Sequence, residues 1–171
     1  HPVAHSFPTR RSSDLIEEFV PGKKYYLPVL GNDLNENIRF LPMMQYTYPA
    51  AETPGDYIGS TLPKPEISFL EITNPLVKRA RDVAKKAYTF FNCRDYAMMV
   101  FLQDERNDNL LVHEINPLTS LLPTGKIMQA AEHIGDSYTD IVNEILLYSM
   151  IRYDLKIRGK YNKKLKEVTK D

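Results

Sequence analysis

One cysteine in 171 residues, Cys93, excludes an internal disulfide framework and any zinc site built on several thiolates. It fits a reducing compartment, so a cytoplasmic location is the expectation. A bias of charge is also missing: 22 basic residues offset 22 acidic ones for a formal net charge of zero. Nucleic acid is therefore not expected as a partner, because meeting phosphates takes a basic surface. No apolar run is long enough to span a bilayer, so no membrane partner is expected. Repeats and low-complexity tracts are absent as well. What is present, 43% hydrophobic and 26% charged residues, reads as a soluble globular chain forming one domain or one large lobe.

The beginning of the chain is a special case. HSFPTRRSSDL, residues 5–15, back-translates without a mismatch to a common short-read sequencing adaptor, and HPVA before it fits an adaptor arm followed by an index. Residues 1–15 are accordingly set aside as an assembly artefact expected to be disordered. Two of the four histidines and the Arg10-Arg11 pair go with them. The expected organisation is a lobe over 16–153, cut from a longer gene, and a lysine-rich, solvated tail over 154–171.

In the remainder, IEEFVPGKKYYLPVLGN (16–32) carries a strand-turn-strand signal around Pro21-Gly22. IRFLPMMQYTY continues as a third strand with Pro42 at an edge or bulge. Four prolines and two glycines between Pro49 and Pro65 predict a long loop. A helix then starts with Asn74 as cap and Pro75 at its first position, with Leu76, Val77, Ala80, Val83, Ala84, Ala87 and Tyr88 in helical spacing. Lys78, Arg79, Arg81, Lys85 and Lys86 are expected to form its solvated face. YAMMVFLQ and LLVHEI read as strands of a hairpin joined by DERNDN. KIMQAAEHI is a short helix stopped at Gly135, and Ser137 with Asp140 forms a capping box for a last helix. Mixed strands and helices with antiparallel hairpins define an α+β chain, mostly antiparallel sheet flanked by helices.

The stretch LLVHEINPLTS, Leu110 to Ser120, carries the chemistry. In a regular strand Leu110, Val112, Glu114 and Asn116 share one side, and Leu111, His113 and Ile115 the other. A carboxylate and an amide on one face are half of a metal site; alternatively, Glu114 sits at a strand end and accepts a hydrogen bond. On this pattern His113 faces away from Glu114 as a core or surface histidine. Cys93, with no base nearby in sequence, reads as packed rather than nucleophilic.

The order of these pieces resembles the C-terminal ATP-grasp lobe of D-alanine–D-alanine ligases. The likeness runs from Ile16 to about Tyr153 and is carried by IEEFVPGKKYYLPVLGN and by CRDYAMMVFL, LLVHEINP and QAAEHIGDSYTDIVNEIL in that order. It implies Mg-ATP, phosphorylation of a carboxylate to an acyl phosphate, and attack by an amine, with an amino acid or peptide as small-molecule substrate and a possible homodimer. By position it places Glu114 and Asn116 on two magnesium ligands, and Glu17, Glu18 and Val20 on the segment passing the adenine.

The same resemblance exposes departures. Lys24 stands where the family has a ribose-binding glutamate, and Ala51 where a phosphate-binding lysine is expected. Met98 replaces the arginine that stabilises the oxyanion, and Val100 the aspartate that completes the metal site. Ser120, Gly125 and Lys126 occupy positions around the second substrate, where Lys126 is the candidate to restore a positive charge and the only catalytic candidate. Two readings follow: an ATP-dependent carboxylate–amine ligase with an altered site, or a non-catalytic relative kept for binding or scaffolding. A generic α+β interaction domain is a third. If the site is a relic, Glu114 is expected to face Met98 and Val100 with its carboxylate partly desolvated.

Overall fold

The computed structural model describes residues 18–32, 37–47 and 65–155. The adaptor-like segment, Glu17, Ala51, most of the proline-rich stretch and the tail beyond Leu155 lie outside the described residues. Among the described residues nine elements follow in order: β1 (Gly22–Asn32), β2 (Asn37–Phe40), β3 (Met44–Thr47), β4 (Glu66–Phe69), α1 (Pro75–Phe90), β5 (Tyr96–Asp104), β6 (Leu110–Asn116), α2 (Lys126–His133) and α3 (Tyr138–Arg152). The strands form one sheet in the order β4-β3-β1-β5-β6, with β2 also on β1, and every pairing is antiparallel. The α+β architecture expected from the sequence is the one observed.

Strand β1 is the spine, paired along nine residues with β5. On its other side it carries two short partners instead of the single third strand anticipated. Phe40 pairs with Val29 and Met44 with Tyr26, and the chain between them leaves the ladder at Leu41–Met43. Pro42 has no N–H to give, so the ladder breaks there. Of the first half of the anticipated strand-turn-strand, the described residues 18–21 are not strand. Gly22 explains the abrupt start: its φ is +146°, and a Cβ there would stand 1.9 Å from the Gln103 carbonyl oxygen. Strand β4 was missed altogether in the sequence reading. Its alternation, Glu66-Ile67-Ser68-Phe69, is only four residues long and largely exposed, too short to stand out at the end of the proline-rich stretch.

Helix α1 begins as its sequence dictates: Asn74 Oδ1 accepts from the Leu76 N–H at 2.9 Å, and Pro75 opens the first turn. Its buried stripe, Val77, Ala80, Ala84 and Tyr88, covers Tyr25, Leu27, Val29, Ala97, Met99 and Phe101. Lys78, Arg79, Lys85 and Lys86 are solvated as expected, but Arg81 is not fully so. Its guanidinium lies 5.6 Å from the Phe40 ring centroid, and its Nε is buried without a partner among the described residues. Burial lowers its pKa below the ordinary arginine value.

The other face of the sheet is covered by α2 and α3. Ile127, Met128, Ala130, Ala131, Ile141 and Tyr148 pack with Leu30, Leu41, Met44, Met98 and Val100. Gly135 stops α2 with φ +87°, and the full Ser137–Asp140 capping box starts α3. Asn32 ties this layer together: its Nδ2 donates to Asp95 Oδ1 at 3.0 Å and to the Tyr148 carbonyl at 3.2 Å, and Arg152 Nη2 holds Asp95 Oδ2 at 2.6 Å.

Candidate functional site

The register of β6 decides which side chains meet. Glu114 pairs with Val100 and Asn116 with Met98, so all four share the face under α2. Between Val100 and Phe101 the ladder shifts, and Val112, not His113, is opposite Phe101. His113 is therefore the extra residue of a β-bulge. Leu110 and Val112 accordingly share the α1 face with Gln103 and Phe101, which corrects the expectation that they line up with Glu114 and Asn116. An intervening bulge residue reverses the side-chain phase of everything beyond it. The rule that set His113 opposite Glu114 presumes a regular strand, and the strand is irregular at that residue.

The α2-facing surface can be read row by row. Met44, Tyr26, Val100 and Glu114 make one row across β3, β1, β5 and β6; Pro28, Met98 and Asn116 make the next; Lys24, Leu102 and Leu111 a third. Met98 and Val100 are each only 3% exposed and pack against α2. Glu114 faces Val100 as expected, yet it is exposed rather than desolvated, because the α2 cover stops short of the outermost strand. Asn116 Oδ1 already accepts from the Leu118 N–H at 3.0 Å, closing a turn at Pro117.

Lys126 opens α2 over this surface. Its Nζ stands 4.8 Å from the ring centroids of both Tyr26 and Tyr46, which are 5.1 Å from each other. Burial pushes its ammonium below the usual lysine range; Glu114 opposes the shift and Lys24 adds to it. Tyr46 is fixed by its hydroxyl on Gln129 Oε1 at 2.7 Å. This tyrosine cage was missed from sequence, since it joins residues far apart in the chain. Gly125, just before Lys126, must be glycine, because a Cβ would stand 2.8 Å from the Ser120 carbonyl oxygen. Ser120 Oγ accepts from the Leu122 N–H at 3.3 Å and so shapes the loop.

A groove of about 550 Å³ runs under β6 along Cys93, Val112, His113 and Glu114. A second groove, of about 530 Å³, is lined by Glu18, Phe19, Val20, Lys24, Leu102, Leu111 and His113. Val20 and Glu18 thus meet the sheet at the end of the third row. Glu18 is held at 3.1 Å by Arg106 Nη1. Arg106 also binds Asp104, donating from Nε to Oδ1 at 2.9 Å and from Nη2 to Oδ2 at 2.8 Å, and this holds the Asp104 carboxyl down to about 2. Cys93 is buried and its thiol is pushed up by burial, as a packed cysteine should be.

An antiparallel sheet with one helix on one face and two on the other, with this run of strands, is the ATP-grasp fold of ligase C-terminal domains. It superposes on the D-alanine–D-alanine ligase of Bacillus anthracis complexed with ATP with a TM-score of 0.61 at 16% identity, covering 81% of this chain and 42% of that one. With the ligase of Coxiella burnetii the TM-score is 0.62 at 15% identity, covering 90% and 37%. The family model for the D-ala D-ala ligase C-terminus matches residues 9–147, and the chain belongs to that family. Among curated relatives, the D-alanine–D-alanine ligase of Carboxydothermus hydrogenoformans is 30% identical over 145 residues, 80% of this chain and 43% of the relative. The uncharacterized protein y4sG of Sinorhizobium fredii is 29% identical over 144 residues, 81% and 41%. The chain spans about two fifths of the length of these relatives.

The magnesium ion implied by the resemblance does not fit the donors present. A hard cation of this size takes six oxygens in near-octahedral array, several from water but anchored by carboxylates. Here Glu114 is one carboxylate, Asn116 is an amide with one oxygen lone pair engaged, and their cross-strand neighbours are a methionine and a valine. Among the described residues no cluster of three or more His, Cys, Asp or Glu side chains is placed to hold a metal.

Proposed function

We propose that this lobe retains the nucleotide-facing surface of an ATP-grasp ligase as a binding surface and has given up magnesium-dependent phosphoryl transfer. The observation that carries the reading is the burial of Met98 and Val100, packed under α2 beside Glu114 and Asn116. Transfer of a phosphoryl group and collapse of an acyl phosphate both need positive charge on the reacting oxygens, and one missing oxyanion donor alone costs roughly 10²- to 10³-fold in rate. Two hydrophobes in that position supply none. The ligand class is a nucleotide such as ATP, its planar base suited to the groove between Val20 and Leu102. Glu18 and Val20 border that groove, and Glu17 adjoins it in sequence. No helix among the described residues is long and apolar enough to cross a membrane; the reading adds a cytoplasmic setting and a homodimeric parent.

Titration with Mn²⁺, followed by its electron paramagnetic resonance, tests the proposal. The chain should leave the free Mn²⁺ signal unchanged to millimolar concentration. Loss of signal that disappears in Glu114→Gln would sink it. Adding Met98→Arg and Val100→Asp together should create binding where the chain shows none.

A second reading, an ATP-dependent carboxylate–amine ligase acting through an acyl phosphate on an amino acid or peptide, draws on Lys126. Its ammonium lies on the same face and could serve in place of the missing arginine. Amino-acid-dependent release of phosphate from ATP that is lost in Lys126→Met would favour it.

A further inference from the structure

We propose that Lys24 and Lys126 form a metal-independent clamp for the polyphosphate chain of a nucleotide, an inference that rests on reading this face as a nucleotide-binding surface. The starting point is a lysine held under several unfavourable local conditions. Lys126 occupies the first position of α2, the end of a helix that disfavours a cation. Its side chain is partly withdrawn from water between Tyr26 and Tyr46. Lys24 projects from the same face of β1, two residues before Tyr26, near enough to act on the Lys126 ammonium as a like charge. Neither lysine has a carboxylate within ion-pair distance among the described residues. Glu114 acts on Lys126 from farther off, and Glu18 in the groove beside Lys24 is already paired with Arg106, so the two ammoniums outnumber the carboxylates left to balance them.

Several local rules are broken at one place: a cation at a positive helix end, partial desolvation, and a like-charged neighbour. Such coincidences mark sites where a ligand completes the balance. The tyrosine faces attract the Lys126 ammonium but accept none of its three N–H bonds in the way an oxygen anion does. A single carboxylate would engage one ammonium. A chain of phosphates reaches both, passing over Tyr26 between them.

Lys24 also lines the groove, which supplies a site for the other half of the ligand. Its apolar walls, Val20, Leu102 and Leu111, suit a flat base, so the base lies in the groove and the anionic chain runs from Lys24 toward Lys126. Because the lysines neutralise the phosphates, magnesium is a competitor here. A magnesium-bound triphosphate carries two fewer negative charges and offers fewer free oxygens to the clamp.

Calorimetric titration of the full chain with tripolyphosphate and with ATP, first in EDTA and then in excess Mg²⁺, tests this. Both ligands should bind in EDTA, and Mg²⁺ should weaken them several-fold. Lys24→Met and Lys126→Met should each lower tripolyphosphate affinity by about tenfold, the effect of losing one charge-assisted contact. Lys85→Met, on the solvated side of α1, should leave it unchanged. Binding that requires Mg²⁺, no binding of tripolyphosphate at millimolar concentration, or equal loss in Lys85→Met would each overturn the clamp. The circular dichroism melting curve of each variant separates loss of ligand from loss of fold. Uptake of Mn²⁺ at Glu114 would overturn the metal-free lobe and leave the lysine dependence standing. A lysine-insensitive titration would do the reverse.

Discussion

The two faces of the sheet are made from alternate residues of the same strands, yet one is a finished core and the other is a core that opens into a site. Under α1, Tyr25, Leu27, Val29, Ala97, Met99 and Phe101 are all buried, and the helix covers them with two alanines, a valine and a tyrosine. Under α2, Leu30, Met98 and Val100 are as deeply buried, but the rows of Val100 and Met98 continue into Glu114 and Asn116, which are not, and the next row begins at Lys24, which is only half-buried. The difference is one of cover. Helix α1 reaches β6, whereas α2 and α3 lie mainly over β1, so the second face is left open toward β6. A site arises where the covering helices stop short of the sheet's edge.

The sharpest way to break this comparison is to hollow out the closed face. Phe101 is fully buried there, and Phe101→Ala should cost about 3–5 kcal/mol in urea unfolding through lost burial and the cavity left behind. A cost below about 1 kcal/mol would mean the face can collapse and is not a finished core. Tyr88→Phe is the finer cut. The Tyr88 hydroxyl donates to the buried Gly31 carbonyl at 2.8 Å, so its loss should cost about 1–2 kcal/mol.

A smaller effect, confined in pH, comes from the end of β5. The Arg106 guanidinium holds the Asp104 carboxyl at about 2, below its ordinary 3.8. A depressed carboxylate pKa stabilises the fold above the unfolded value and loses that contribution as pH falls through the folded one. The acid limb between about pH 4 and pH 2 should therefore flatten in Asp104→Asn. An unchanged limb would show that other carboxylates govern it. The smallest effect belongs to the open face. Glu114 is exposed, so Glu114→Gln should leave stability within about 0.5 kcal/mol; a larger gain would indicate the desolvated carboxylate that the sequence reading anticipated.

Elements with local signals were legible. Asn74-Pro75, the helical spacing after it, the Ser137–Asp140 box and the turn at Gly135 are each written within a few residues, and each is found in place. Strand β4 was not legible because four alternating residues, mostly exposed, are too short a run to mark a strand. The site was read in part. That Glu114 and Asn116 share a face with Met98 and Val100 follows from their spacing and holds. That Leu110 and Val112 do not join them depends on a bulge, and LLVHEIN continues to alternate plausibly straight through it. The cage around Lys126 was illegible for another reason: Tyr26, Tyr46 and Lys126 meet only through the packing of β1, β3 and α2.

The bulge at His113 bears on how this lobe can vary. Remove that residue and Val112 joins Glu114 directly, so the ladder to Phe101 and Val100 becomes regular with every other pair unchanged. Strand β6 therefore has one spare position, whose side chain borders both grooves. Changing or removing that residue reshapes two cavities at once and leaves the facing of Glu114 and Asn116 as it is. The length of the hairpin and the facing of the site residues are independent variables of a single strand.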